Sequence, residues 1–596
     1  MPDIAPSRRA LCTSPTRRQV RKWVLLSSAG VLLVFVGIAA WIVPRAFAAE
    51  TELEAAIRLA TAVQGQLLTG EGDQAARSAK KMSEHTAAGR DLTDDFIWQG
   101  LEWIPWAGEN LKAVRLAAIT ADELAVNAVV PAASISIDGF KPVDGRFDVE
   151  AITDLGSTVD VVAETIAAGE ERMSTIDRSA LISQVASGVG KLDAALAKVS
   201  GVIGGVQDTV AVLPAVLGAE GPRNYLMLFQ NNAETRGTGG LPGALLIVNV
   251  EDGLVDVAKI SPATAFPFGF SPPILPIDAK TEALYGSKIA RYIGDITLTP
   301  DFPYTAQLGK AFWEMENGAG TVDGVLSFDP VALGYLLEAT GPVVLPTGEK
   351  ISGDNAASLL LNESYFLYPD PVEQDAFFAS AASLIFDAVK SGKGDTMGLV
   401  TAITRAVDER RLNLWSADPE EQALLAETPM AGILPSDNVE TTTIGVYFND
   451  DSSAKLEYYL HPTIEVTSDQ CSVAAPTMHS TVTLVSKVPL DAATSLPKYI
   501  SGSWYTRGHI MMDLVVYGPV GGTLDNLTIN GNSTKPVYVG SHLDRPAAKI
   551  RFRVQPGQTV VVDYDMMGTL GRYGPLDVRH TPMAHPLPVT VTETNC

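Results

Sequence analysis

Residues 225–260 read YLMLFQNNAETRGTGGLPGALLIVNVEDGLVDVAKI, and this stretch sets the fold class of the middle of the chain. Tyr225 to Phe229 is a short apolar run of the kind found in a buried strand. A Gly-rich stretch follows, with Gly237, Gly239, Gly240 and Gly243. Leu245 to Val250 and Leu254 to Ile260 then flank Asp252-Gly253, the turn signal of a hairpin. Downstream, helical patterns mix with strands. Pro303 to Glu316 reads as helix and Val325 to Phe328 as strand. Asp329-Pro330 starts a helix that ends near Thr340-Gly341, with Asp as N-cap and Pro at the first helical position. Further helices are expected over about 353–365 and 373–390. Residues 218–436 therefore form an α/β or α+β layer domain.

Beyond it, residues 441–596 are β-rich. Thr441 to Phe448, Lys455 to Leu460, Thr481 to Val485, His509 to Val516, Lys549 to Val554 and Thr559 to Tyr564 read as strands. Gly, Asn and Pro separate them, which predicts a β-sandwich. Before it, residues 49–217 are Ala-rich with helical spacing. Leu53, Ile57, Ala60, Val63 and Leu67 form one stripe. Ile152, Leu155, Val159, Val162 and Ile166 form a second, and Leu181, Val185, Leu192, Leu196 and Val199 a third. No strict heptad is sustained, so an intramolecular helical bundle is expected rather than a dimeric coiled coil. Trp103-Ile104-Pro105-Trp106-Ala107-Gly108 breaks the pattern. Packing of Trp103 and Trp106 in a helix corner is the favoured reading, and contact with lipid headgroups the other.

Residues 23–43, WVLLSSAGVLLVFVGIAAWIV, carry no charge and are long enough to span a bilayer as a helix. The tail of residues 1–22 holds Arg8, Arg9, Arg17, Arg18, Arg21 and Lys22 against Asp3 alone, which places it in the cytoplasm and the rest outside. The competing readings are a signal peptide cleaved after Ala46-Phe47-Ala48 and a twin-arginine signal at Arg17-Arg18. Against cleavage, the run exceeds a usual signal core, and Arg45 stands between it and the cleavage site. The expectation is a single-pass protein of the cell membrane with its bulk extracytoplasmic.

Net charge is −25 although the tail is positive, so the exterior is acidic. That disfavours nucleic acid and anionic lipid as general partners. Of three cysteines, Cys12 lies in the tail, while Cys471 and Cys596 fall outside, where a disulfide between them is expected. No HExxH, CxxC, P-loop or GxSxG pattern occurs, so no cofactor, metal site or catalytic nucleophile is assigned. His580 and His585 flank prolines and read as loop.

Gly221-Pro222-Arg223-Asn224-Tyr225, Leu228 to Arg236, Thr299-Pro300-Asp301-Phe302-Pro303, Phe312-Trp313, Asp323-Gly324-Val325, Phe328 to Leu333 and Ala339-Thr340-Gly341-Pro342 together resemble actinobacterial membrane proteins that carry domain of unknown function 4012. The resemblance also takes in the Trp103–Gly108 corner and Asn449 to Leu460. The order strand, loop, hairpin, helix, strand, helix is more distantly similar to the LytR-CpsA-Psr fold. That resemblance implies binding of polyprenyl-pyrophosphate lipids and transfer of glycopolymers, with arginines on the pyrophosphate and carboxylates on magnesium. Here the corresponding places hold Asn231, Asn232, Gly243, Ala263 and Glu373 instead, and Arg236 is the obvious remaining cation.

The whole therefore reads as a multidomain α+β protein: one transmembrane helix, a helical bundle, a LytR-CpsA-Psr-like α/β domain and a C-terminal β-sandwich. The expected role is non-catalytic binding or scaffolding of envelope glycan, lipid-linked glycan or a protein partner, with a glycopolymer transferase as the alternative. Candidate ligand-binding residues are Asn231, Asn232, Arg236, Ser261, Thr264 and Asp301. For the two Asn and the Arg, hydrogen bonding within a loop is the competing role, and helix capping is favoured for Asp301.

Overall fold

The computed structural model describes residues 17–68, 71–105, 107–134, 141–392, 394–469, 475–503 and 505–594. Residues 1–16, Trp106, Cys471 and Cys596 lie outside these, as do most side chains of the Trp23–Val43 run, whose backbone belongs to the Arg17–Leu68 helix. The chain is a multidomain α+β protein. It divides into two compact units, Met1–Ile135 with Thr158–Ile203, and Ser136–Ser157 with Gly204–Cys596.

The first unit is helical. The Arg17–Leu68 and Gly72–Thr93 helices pack along each other through small side chains: Ala56 and Met82 share one buried cluster, Val63, Ala75 and Ala79 another. His85 Nδ1 lies 2.5 Å from the Glu52 carboxylate, and a Cβ on Gly89 would stand 3.3 Å from Leu53. The buried line on the first helix is Ala49, Ala56 and Val63, whereas Ile57, expected on the stripe, is 58% exposed. Alanine lets the helices approach more closely than isoleucine would, so the smaller residues hold the seam. A third helix, Gly108–Leu124, continues through a π-helical turn, Ala125–Val129, to Ser134. Among the described residues, Gly108–Ser134 is the helix long and apolar enough to cross a membrane, and nearly half of its most apolar window is buried inside the protein. Val162, Ile166 and Met173 pack with Val189 and Leu196 beside it, in line with the second and third apolar stripes.

Corner residues 94–105 differ from expectation. Trp98 is the buried indole, donating Nε1–H to the Leu111 carbonyl at 2.9 Å, whereas Trp103 is 78% exposed. A Cβ on Gly108 would lie 1.8 Å from the Glu102 carbonyl oxygen, and Glu102 is clamped by Arg115 at 2.6 and 3.0 Å.

The second unit contains a five-stranded sheet of β1 (Arg223–Arg236), β2 (Gly239–Glu251), β3 (Leu254–Pro262), β4 (Gly324–Phe328) and β7 (Asn413–Ser416), in the order β3-β2-β1-β4-β7. β1 and β4 are parallel and the other pairs antiparallel. Strand alternation sends Leu226 and Leu228 to one face, against the Phe302–Asn317 helix, and Tyr225 to the other. Asp252 and Gly253 both take positive φ, as the expected hairpin requires. Asp329 caps the Pro330–Thr340 helix by accepting from the Ala332 amide at 2.8 Å, and Gly341 ends it. A two-stranded sheet, β5 (Val343–Val344) with β6 (Lys350–Ile351), follows.

Two more sheets complete this unit. One, in the order β14-β15-β11-β8-β17, comprises β8 (Thr442–Asp450), β11 (Ile510–Tyr517), β14 (Tyr538–His542), β15 (Arg545–Val554) and β17 (Leu576–His580). The other, in the order β13-β12-β16-β10-β9-β18, comprises β9 (Leu460–Asp469), β10 (Thr477–Ser486), β12 (Thr523–Ile529), β13 (Asn532–Ser533), β16 (Thr559–Met567) and β18 (Val589–Glu593). Phe448, Leu514 and Ile550 of the first share a buried cluster with Ile464, Val482 and Val562 of the second. The opposite face of the five-stranded sheet, with Tyr447, Val515 and Tyr517, belongs to the cluster built on Leu226 and Phe312. This sheet is thus buried on both faces, which is why the α/β and β-rich stretches form one compact unit. Two sequence readings are corrected here. Lys455 to Leu460 is not a strand: Leu456–Tyr459 is a 3₁₀ turn that drives both Leu456 and Glu457 inward. His580 is not loop but ends β17.

Candidate functional site

The β1–β2 hairpin turns on Gly237 and Thr238 alone, so the Gly-rich stretch belongs to the sheet. Gly237, Gly239 and Gly240 each permit a close approach, whereas Gly243 faces open space. A Cβ on Gly240 would lie 2.1 Å from the Asn231 carbonyl oxygen, and one on Gly237 would lie 2.5 Å from that of Leu298. The ladder is interrupted between Asn231 and Thr235, and the residues between them bulge out of register toward the β-rich part.

This bulge and the ladder residues flanking it carry three of the six candidate ligand-binding residues, and each is engaged internally. Asn231 donates to the Tyr365 hydroxyl at 3.0 Å and accepts from the Ala233 amide. Asn232 is fully buried and donates to both the Asp329 carboxylate and the Pro582 carbonyl at 3.0 Å. Arg236, 6% exposed, stands 3.7 Å from both Asp295 and Asp450. Burial opposes its charge, yet those carboxylates hold its pKa above the usual arginine value. The other three lie apart from this group. Ser261 and Thr264 sit at the end of β3 and just beyond, half-buried and exposed respectively. Asp301 is the N-cap residue of the Phe302–Asn317 helix, but its carboxylate makes no capping bond. Burial pushes its pKa up to about 6.

Around the bulge lies a concentration of buried charge. Lys455 pairs with Glu234, its ammonium over the rings of Tyr365 and Tyr499. Arg411 donates to Asp329 at 2.8 Å, to Glu409 at 2.7 Å and to the Met583 carbonyl at 3.1 Å. Asn449 accepts from the Gly237 amide at 2.9 Å. Glu457 is wholly buried with neither oxygen hydrogen-bonded. Desolvation, then the neighbouring Asp450, raises its pKa well above the usual carboxyl range. Sequence reasoning missed Asp329–Arg411, Glu234–Lys455 and Glu457. The one local signal was the density of charges in Glu409-Arg410-Arg411 and Asn449-Asp450-Asp451, unusual in a stretch that must pack.

Beyond the carboxyl end of β4, a cavity of about 30 Å³ is lined by Gly237, Thr238, Phe302, Arg410, Asn413, Tyr447, Arg579 and His580. Arg410 takes φ +56°. Its guanidinium and that of Arg579 share Asp577, at 3.5 and 2.8 Å. Burial, then repulsion from Arg579, lowers the Arg410 pKa, and burial lowers that of His580. Two arginines and an imidazole on one small cavity make a cationic nook the size of a bound water or a single oxyanion oxygen. A larger, open cleft of about 510 Å³ lies on the six-stranded sheet, lined by Asp469, His479, Asp525, Asn526 and Asp565. Asp565 accepts from Asn526 and from His479, both at 2.7 Å. Among the described residues, no group of three or more His, Cys, Asp or Glu is placed to hold a metal ion.

Residues 220–365 match the family described as protein of unknown function (DUF4012). The matched span begins just before β1 and ends at Tyr365, the acceptor of Asn231. It takes in all six candidate residues and Asp329, and stops short of Arg410, Arg411 and Arg579. Neither the comparison with curated proteins nor that with solved structures gives a match.

Proposed function

We propose that this chain is a single-pass, membrane-anchored protein of an actinobacterial cell envelope that binds or scaffolds envelope glycan without transferring it. In this reading the Trp23–Val43 run is the anchor, the basic tail is cytoplasmic, and the bulk is outside. Residues 218–436 form a LytR-CpsA-Psr-like domain and the C-terminal sheets a β-sandwich. The observation that carries the non-catalytic reading is the enclosure of Arg236 between Asp295 and Asp450. A guanidinium already neutralised by two carboxylates has no charge to offer a pyrophosphate, whose transfer needs several cations preorganised around the developing charge. The open cleft beside Asp469, Asp525 and Asp565 supports a neutral sugar as ligand: its size suits one or two rings, and its carboxylates accept hydroxyl donors but repel phosphate.

One observation favours the transferase alternative. Arg410 and Arg579 line a cavity at the carboxyl end of a parallel strand, a usual position for ligands in α/β sheets. Both already face Asp577, and the cavity is far smaller than a diphosphate. The test uses the full chain in liposomes, titrated with soluble cell-wall glycan fragments and, separately, with lipid-linked glycan and magnesium. Saturable glycan binding without release of polyprenyl phosphate is the expected result. Magnesium-dependent turnover abolished by Arg579→Ala would replace this reading with the transferase.

A further inference from the structure

Across the described part of the helical unit, exposed large apolar side chains are mostly scattered singly, but at one corner they gather. Phe96 is 83% exposed and Trp103 78%, with Ile97 beside them. The fold places that corner at a definite height on the first helix. The Gly72–Thr93 helix clusters Ala75 and Ala79 with Val63, then Met82 with Ala56, and sets Gly89 beside Leu53, so it runs antiparallel to the first helix, back toward residue 45. At its end Asp95 faces Arg45 at 3.7 Å, and the Arg45 guanidinium lies 4.3 Å from the Trp41 ring centroid. Arg45 stands two residues past Val43, the end of the apolar run, or about 3 Å along a helix.

The corner is also built to hold those side chains outward. Asp95 caps the Phe96–Gln99 helix through the Ile97 and Trp98 amides. The buried Trp98 anchors it to Leu111, and the Glu102–Arg115 clamp fixes the far side. Its acids are matched by bases: Asp94 faces Arg90 and Arg115, Asp95 faces Arg45, and Glu102 faces Arg115. A rigid, charge-balanced turn that exposes Trp, Phe and Ile is suited to the boundary between headgroups and acyl chains, where amphipathic rings partition favourably.

We propose that the 94–105 corner is a second membrane contact, with Phe96, Ile97 and Trp103 seated in the outer leaflet next to the emerging anchor helix. It fixes the bundle against the bilayer instead of leaving it on a free tether. This rests on the anchor reading, and the experiment separates the two. A photoreactive p-benzoylphenylalanine replaces, one at a time, Leu33 in the apolar run, Phe96, Trp103, and Ile182, an exposed residue elsewhere in the same unit. The full chain in phosphatidylglycerol–phosphatidylethanolamine liposomes is irradiated, and lipid adducts are identified by mass spectrometry. Adducts at 33, 96 and 103 but not at 182 are expected. Adducts at 33 without any at 96 and 103 overturn the corner contact and leave the anchor standing. Absence of adducts at 33 overturns the anchor and this proposal together. Adducts at 182 equal to those at 103 show the bundle lying along the membrane and overturn a contact specific to the corner.

Discussion

Arg411, just before β7, meets Asp329, at the end of β4, at 2.8 Å, with both side chains almost wholly removed from solvent. The same carboxylate caps the Pro330–Thr340 helix and accepts from Asn232 in the β1 bulge. Removing the cation leaves that carboxylate buried and partly uncompensated. Arg411→Ala should therefore destabilise the second unit by on the order of 3–5 kcal/mol. The Asp329→Ala, Arg411→Ala double variant should lose less than the two single losses combined, because the second substitution removes no partner already lost. Urea titration of the full chain in a non-ionic detergent, followed by tryptophan fluorescence, measures both.

Arg410, the adjacent residue, sits at φ +56°. A left-handed conformation costs a non-glycine residue roughly 1–2 kcal/mol. Arg410→Gly should be more stable than Arg410→Ala by about 1 kcal/mol, since both lose the ion pair with Asp577 and only one keeps the strain. Comparison of the two urea midpoints decides it.

Two buried groups give opposite pH dependences. Asp301 is pushed up to about 6 by burial. Its folded form holds a proton that the unfolded form releases, so its contribution is full below the ordinary value of 3.8 and is lost as pH rises toward 6. His542, bonded to Tyr517 and Thr281 and pushed down to about 4 by burial, behaves in the opposite sense. Its contribution is full above 6.5 and is lost as pH falls toward 4. Across pH 4–6 the two slopes oppose each other in the natural chain. Asp301→Asn should uncover a stability that rises with pH, and His542→Gln one that falls. Parallel melting curves at pH 4.5 and 6.5 test the signs; identical slopes in all three proteins would sink the assignment.

A disulfide between Cys471 and Cys596 is expected from the sequence alone, which puts both thiols in the β-rich part of the chain. Closing that loop is worth on the order of 4–5 kcal/mol in the chain-entropy model. Peptide mapping under non-reducing conditions should recover one linked peptide, and free thiols at both positions would refute the pairing.

The hairpin of Leu245 to Ile260, the Asp329-Pro330 helix start and most long strands were legible because each is specified locally, by a turn dipeptide, a cap or a run of β-branched residues. β9 was not, the strand expected over Lys455 to Leu460 stopping where it begins, and neither were β5, β6, β7, β12, β13, β14, β17 and β18. The latter are short and mostly part-polar strands, such as Leu576–His580, whose identity comes from the partner they join. The surroundings of the candidate site were hidden in the same way. Asn231, Asn232 and Arg236 were recognisable as polar residues in an apolar context, yet their partners Tyr365, Asp329, Asp295 and Asp450 lie far along the chain, and no local pattern records such a pairing. Trp103 was misjudged because hydrophobicity predicts burial, and nothing in the local sequence says that the corner encloses Trp98 instead.

The two parallel pairings near the carboxyl end carry a kinetic cost. β8 receives β17, and β9 receives β18, only after more than a hundred intervening residues. Contacts of such long sequence separation form late and slowly. Until then both sheets present an open edge to whatever else surrounds the chain, and open edges recruit foreign strands. A nonsense mutation between Met567 and Leu576 would make that transient state permanent, and its product should be found in aggregates or degraded, with the helical unit still folded ahead of it.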